Sequence, residues 1–259
     1  MDKRLLDIHN GYNYRDIGGY KTTSGKTVKW HKIVRAGNLA TLSKNDQQCL
    51  INYGVKEDID LRSNQERQND PDRIPKGVNY HFSPIFNSKH DNRIDNLKKL
   101  YSKDPKIGYR NMIRTYQILV SSSEARHGYR KLFQALLNNE GEQTLLFHCS
   151  QGKDRTGIGA ALLLLILGVD VKTVKKDYMI SQKMMVPYVK MKLKQIEKYH
   201  VNDNFKQNIS DLYTVHGGYF DAAMDTIKER YVNIHNFARQ FLNLSDRDIK
   251  TLKQIYLTN

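Results

Sequence analysis

Thr144-Leu145-Leu146-Phe147-His148-Cys149-Ser150-Gln151-Gly152-Lys153-Asp154-Arg155-Thr156-Gly157 decides how the rest of this chain is read. Thr144 to His148 is a short apolar run ended by a turn, which predicts a buried central strand. Ile158 to Val169 is a twelve-residue apolar run, too short to cross a bilayer, which predicts a core helix starting near Thr156. The loop between them therefore lies between a strand end and a helix start. Such a loop turns successive backbone N–H groups inward, and the helix N-terminus adds partial positive charge. Together they form an anion nest of phosphate size. Gly152 permits the tight path and Gly157 lets the helix pack closely. A cysteine at the base of such a nest is held as the thiolate. Arg155, after five intervening residues, closes the ring with a planar fork that binds two equatorial oxygens, as a lysine cannot. Ser150, Gln151, Gly152, Lys153 and Thr156 complete the candidate binding loop.

Working outward, strands are expected at Val28–Val34, Val55–Leu61 and Tyr80–Ile85. Ser43 caps a short helix over Asp46–Asn52, and Gly54 stops it. Arg62–Pro75 reads as a polar loop, and 87–105 as a polar, Lys-rich, exposed excursion. Helical spacing appears at 107–120, 122–138, 171–181, 184–200 (with Pro187 in its first turn), 218–231 and 233–242. Ser245 caps a last amphipathic helix with Asp246 and Asp248 in its first turn. A few strands among many helices predict an α/β fold: a central, mostly parallel sheet flanked by helices. The 259 residues suit one domain, 1–259, with 170–205 as a possible helical lid over the nest.

Further stretches carry a family resemblance. Asn13-Tyr14-Arg15-Asp16-Ile17-Gly18-Gly19-Tyr20, Ile59-Asp60-Leu61-Arg62-Ser63 with Glu66, the Gly-Lys-Asp-Arg-Thr-Gly form of the loop, and the closing helices from about Tyr219 to Leu257 resemble the bacterial atypical tyrosine and lipid phosphatases. These belong to the cysteine-dependent protein tyrosine phosphatase superfamily. Tyr231-Val232-Asn233 departs from the family's Tyr-Gly-Ser turn. The resemblance implies that Cys149 attacks phosphorus and forms a phosphocysteine, while Arg155 and the loop amides hold the equatorial oxygens. It further implies that Thr156 donates its hydroxyl to Cys149 as a leaving thiolate, that His148 orients the loop and that Asp154 is the general acid. Two readings of Asp154 stay open, acid or ion-pair partner of a nearby base. Asp60 is the second candidate acid, although Asp60 and Arg62 also read as braces from the neighbouring strand end. Arg15 and Asp16 read as an internal ion pair. Lys153 either reaches past the scissile phosphate toward a second one or pairs with Asp154.

The net charge of +15 favours anionic partners: phosphorylated proteins, phosphoinositides or an anionic membrane surface. Nucleic acid has only this charge in its favour. Eight lysines against Asp177 and Glu197 between Lys172 and Lys198 form either a lipid-facing surface or a solvated helix face. The two cysteines, Cys49 and Cys149, make no disulfide framework, and the nine histidines show no metal-ligand spacing, so no metal or other cofactor is expected. Ser24-Gly25-Lys26-Thr27 lacks the earlier glycine of a nucleotide-binding loop, because position 20 is tyrosine. Met1 to Asp7 has no apolar secretion core, which predicts a cytoplasmic protein, or a secreted one if a signal was removed.

Overall fold

The computed structural model describes residues 3–86, 94–139 and 143–259. In chain order the elements are β1 (Arg15–Asp16), β2 (Ile33–Ala36), α1 (Lys44–Tyr53), β3 (Val55–Asp60), α2 (Asn64–Asn69), β4 (Asn79–Phe82), α3 (Ile94–Tyr101), α4 (Ile107–Leu119), α5 (Ser123–Asn138) and β5 (Thr144–His148). Helices follow: α6 (Arg155–Leu167), α7 (Val171–Met184), α8 (Val186–Glu197), α9 (Asp203–Tyr213), α10 (Gly217–Tyr231), α11 (Ile234–Gln240) and α12 (Asp246–Tyr256).

The strands form one sheet in the order β1-β2-β5-β3-β4. Only the β1–β2 pair is antiparallel; β5 is parallel to both of its neighbours, and β4 runs parallel to β3. Side chains alternate between the two faces. Leu145 and Phe147 of β5 join Ile33, Ile59 and the apolar faces of α5 and α6, while Leu146 joins Val34, Ala36, Leu50 and Val55 beneath α1. The sheet is thus covered on both faces, as the apolar β5 segment predicted. α6 is buried from Thr156 to Leu167 except at Leu165, consistent with a helix apolar all round. No helix among the described residues is long and apolar enough to cross a membrane.

Local signals place several boundaries. Ser43 and Asp46 form a capping box on α1, and Gly54 ends it at φ 96°, a left-handed conformation that only glycine adopts without strain. Four expectations change. The strand predicted over Val28–Val34 begins at Ile33, because Val28 is drawn into a hairpin with Gly19 and Tyr20 and bridges to Leu257. The Arg62–Pro75 loop contains α2, started by a Ser63–Glu66 capping box. The exposed excursion becomes helix α3 from Ile94, anchored by buried Tyr101 against Phe205 of α9; residues 87–93 of that excursion lie outside the described residues. α9, absent from the sequence reading, is capped by Asn202, whose side chain accepts from the Phe205 N–H.

The Tyr231-Val232-Asn233 departure has a structural cost. Val232 closes α10 at φ 71° and ψ −43° with its side chain 71% exposed. A β-branched residue there is strained by roughly 1–3 kcal/mol, and the exposed side chain recovers little by packing. Val232→Gly is expected to raise stability by about 1 kcal/mol after the entropy cost of glycine, measured by denaturant unfolding. A lower midpoint would contradict the strain.

Candidate active site

The loop from Cys149 to Asp154 leaves the carboxyl end of the central strand, where ligands bind in open α/β sheets. Its carbonyls are tied to the scaffold. Ser150 O accepts from the Asn38 N–H at 3.2 Å, Gln151 O from Asn13 Nδ2 at 3.0 Å and Gly152 O from an Arg35 guanidinium nitrogen at 2.9 Å. In a trans peptide the next residue's N–H points opposite to its carbonyl. The amides of Gln151, Gly152 and Lys153 therefore face the other side, which is what an anion nest requires. Gly152 sits at φ 68°, and a Cβ there would lie 2.4 Å from the Ala36 carbonyl oxygen, so the close approach to β2 excludes any side chain. At the base, Cys149 is 2% exposed.

Arg155, the first residue of α6, is held by Glu66 of α2. Its two terminal nitrogens donate to the two Glu66 oxygens at 2.7 Å each, and the Ser150 hydroxyl donates to Glu66 as well. Burial opposes the charge on both partners, but the paired hydrogen bonds outweigh it. Arg155 is held above its ordinary value, Cys149 adding to the effect of Glu66, and the Glu66 carboxyl stays well below the usual carboxylate range. The fork is thereby fixed in orientation before an anion arrives.

Asp154 lies at the helix start beside the nest. Its carboxylate accepts from the Tyr116 hydroxyl at 2.6 Å and from the Lys153 ammonium at 2.8 Å, and Tyr178 in turn donates to Tyr116 at 2.8 Å. The Asp154 side chain keeps 21% exposure, so it is not sealed from solvent. Lys153 does not reach outward past the nest. It is 1% exposed, and its ammonium also donates to the Leu212 carbonyl of α9 at 2.8 Å. The partner that holds it there, the end of α9, is an element the sequence reading did not contain. The pairing of Lys153 with Asp154 is the alternative the structure displays.

Beneath the nest, Arg15 and Arg35 share Asp177 of α7. Arg15 Nε and an Arg35 nitrogen approach it at 3.2 and 2.9 Å, and all three side chains are buried. Asp177 is held below its ordinary value although burial pushes the other way, because Arg15 and Arg35 face it. Arg35, with burial and Arg15 working against its charge, is lowered to about 10. The Arg15–Asp16 ion pair expected from sequence is not formed. Adjacent strand residues point to opposite faces, so Asp16 instead accepts from the Gly18 and His31 N–H groups and the Tyr53 hydroxyl. α7 therefore contributes a side chain to the site's foundation. α8 approaches the rim, where the Tyr188 hydroxyl accepts from Gln151 Nε2 at 3.3 Å and its ring packs on Tyr12 and Tyr213.

On the β3 side, Arg62 binds Asp60 through two nitrogens at 3.0 and 2.9 Å and reaches the Asp70 carbonyl and the Asp72 carboxylate. Asp60 also accepts from Tyr80 and is 0% exposed. It is held below its ordinary value because His148 and Arg62 outweigh its burial, which leaves it engaged as a brace. His148 Nδ1 lies 3.3 Å from the Cys149 carbonyl oxygen. Thr156 Oγ1 is buried without a hydrogen-bond partner. Sequence reasoning had not assigned Arg35, Asp177, Glu66 or Tyr116 to the site. Only Glu66 carried a local signal, its place three residues after Ser63.

The sequence model of the tyrosine phosphatase family matches residues 6–258. The chain belongs to that family. Among its relatives is a protein of Cupriavidus necator whose name places it provisionally among tyrosine-protein phosphatases, 27% identical over 95% of this chain and 85% of its own length. The triple specificity protein phosphatase PtpB of Mycobacterium tuberculosis is 23% identical over 98% of this chain and 99% of its own. A tyrosine-protein phosphatase of Nostoc commune is 31% identical over 58% of this chain and 48% of its own. The phosphatase family membership agrees with the motifs around Asn13–Tyr20, Asp60–Glu66 and Cys149–Gly157, which the fold gathers around one nest.

Proposed function

We propose that this phosphatase hydrolyses phosphotyrosine, and secondarily phosphoserine or phosphothreonine, on proteins through a phosphocysteine intermediate. The observation that carries this reading is the loop geometry: a cysteine at the base of inward amides, closed by an arginine that Glu66 pre-orients. The Cys149 sulfur forms a bond to phosphorus as the ester P–O bond breaks. Asp154 gives its proton to the departing oxygen. Water then attacks phosphorus, its proton goes back to Asp154, and the S–P bond breaks to return the thiolate and free phosphate. Arg155 and the amides hold the equatorial oxygens through both steps. The triple specificity in the name of the Mycobacterium relative supports a site that admits more than one phosphomonoester.

Asp154→Asn tests the acid. The variant is expected to slow alkyl and phenyl phosphates by about 10²-fold or more and strongly activated aryl phosphates much less, since a good leaving group needs no proton. Equal slowing of both classes would make Asp154 an anchor for Lys153 and Tyr116. A second reading, phosphoinositide monoesters as additional substrates, is favoured by one observation. Lys176, Lys183, Lys190, Lys194 and Lys198 are exposed along α7 and α8, the helices beside the rim, and such lysines attract an anionic surface. Phosphate release from phosphopeptides and from phosphoinositide vesicles, measured side by side, separates the two. Release from peptides alone would restrict the enzyme to proteins.

A further inference from the structure

Below the nest, on the side facing β3, lies a cluster of buried charge that the reaction scheme leaves unused. Asp58 is 0% exposed and neither of its carboxylate oxygens makes a hydrogen bond. His148 Nε2 lies 3.4 Å from Asp58 Oδ1; the same nitrogen lies 3.4 Å from Asp72 Oδ2 and 3.8 Å from Asp60 Oδ1. The other ring nitrogen, Nδ1, faces the Cys149 carbonyl oxygen at 3.3 Å. Every atom presented to this imidazole is therefore an acceptor. A neutral imidazole has one N–H and one lone pair, so one of its nitrogens would face an oxygen lone pair to lone pair. The conflict disappears when the cluster carries one additional proton, either on Nε2 or on the carboxyl of Asp58.

The charge balance points the same way. Arg62 is committed to Asp60 and Asp72. With His148 neutral, three carboxylates would face one guanidinium in a buried space, and Tyr14, also buried, offers the cluster no proton because its hydroxyl donates to the Asn38 carbonyl. An unpaired buried carboxylate is costly enough that the fold takes up a proton instead. At Asp58 burial pushes the carboxyl up to about 7, against the pull of His148, with Asp72 and Asp60 adding to the rise. Asp72 is raised as well, burial again being the main cause.

We propose that Asp58 and His148 share one trapped proton beneath the nucleophile, and that Asp58 is a positioning residue which, through His148, holds the Cys149 end of the nest in register. The proton belongs to the pair, whichever atom carries it. His148 Nε2 makes no formed hydrogen bond, but with the proton present its 3.4 Å approach to Asp58 and the 3.3 Å contact of Nδ1 with the Cys149 carbonyl are both attractive. When it leaves, a buried anion faces a ring lone pair, and the tether on the residue carrying the nucleophile slackens. Because the folded protein holds a proton that an unfolded aspartate has already released, this contribution to stability is full at acid pH. It declines as pH rises from the ordinary aspartate range through about 7. The inference rests on Cys149 being the nucleophile, but its readouts do not all depend on turnover.

Asp58→Asn tests it. The amide supplies an N–H to His148 Nε2 without a titrating group. The variant is expected to melt no lower than wild type at pH 8, and the decline in melting temperature of the wild type between pH 6 and pH 8 is expected to shrink. Asp154→Asn removes the proposed acid, so an alkaline limb remaining in its kcat/KM for an activated aryl phosphate reports the cluster. That limb approaches tenfold per pH unit above about 7, and adding Asp58→Asn is expected to abolish it. Nitrogen-15 NMR of the wild type provides a measurement that needs no variant. The Asp58–His148 pair is expected to show its shared proton at pH 6 as a hydrogen bond between His148 Nε2 and the Asp58 carboxyl. A His148 with one proton and a free Nε2 lone pair at pH 6 would overturn the proposal. So would a variant that melts lower at both pH values, an alkaline limb unchanged by Asp58→Asn, or a stoichiometric divalent cation in the purified wild type that Asp58→Asn releases.

Discussion

Cys149→Ser is expected to lower kcat by about six powers of ten, to the level of uncatalysed hydrolysis assisted by binding alone. The serine hydroxyl is the wrong species to attack phosphorus at neutral pH, and the nest that would stabilise a thiolate cannot ionise an alcohol to a useful extent. The fold has no reason to fail. Cys149 makes no hydrogen bond through sulfur that serine could not replace, and the loop is held by its carbonyls through Asn13, Arg35 and Asn38. Phosphate or vanadate should still bind, so calorimetry on the variant separates loss of chemistry from loss of the site. Turnover above about one per cent of wild type would remove Cys149 from the role of nucleophile.

Arg155→Lys carries the second large effect, an expected loss of about 10³ in kcat. The charge is kept, so a merely electrostatic requirement would be met. The geometry is not kept. Two nitrogens of Arg155 are already bound to Glu66 at 2.7 Å, and the planar guanidinium has further N–H donors in the same plane for an anion. A lysine ammonium can satisfy Glu66 or the phosphoryl oxygens, but not both in a fixed plane. The loss should fall on vanadate inhibition in parallel with kcat, because vanadate reproduces the equatorial oxygens of the transition state. Ground-state affinity for phosphate should change much less. A decrease of less than about tenfold would show that Arg155 serves charge and not geometry.

What could be read from the sequence follows the range of the interactions. The nest is contiguous in the chain, so strand, loop and helix announced themselves through apolar patterning around Cys149 and Arg155. Capping chemistry is equally local. Ser43 with Gly54 marked α1 and was read; Ser63 with Glu66 marked α2 and was passed over in a segment too polar to suggest a helix. α9 has both an Asn202 cap and apolar residues at Phe205, Ile209 and Leu212, but its short amphipathic face lies in a stretch to which no element was assigned from sequence. The supports were illegible for a different reason. Arg35 and Asp177 meet 142 residues apart, because the Arg35 side chain leaves β2 toward α6, and α7 packs against α6. Lys153 turned inward because of the Leu212 carbonyl, 59 residues away. Neither partnership leaves a mark in local spacing.

The central claim is a covalent phosphoryl group on Cys149 during turnover. Rapid acid quench of the enzyme mixed with an activated aryl phosphate, followed by mass spectrometry of the peptide carrying Cys149, tests it most directly. The account predicts a phosphate adduct on Cys149 that appears with the first equivalent of released phenol and decays as inorganic phosphate is formed. Release of the first equivalent of phenol with phosphate already free in solution, or an adduct found on His148 or another residue, would contradict it.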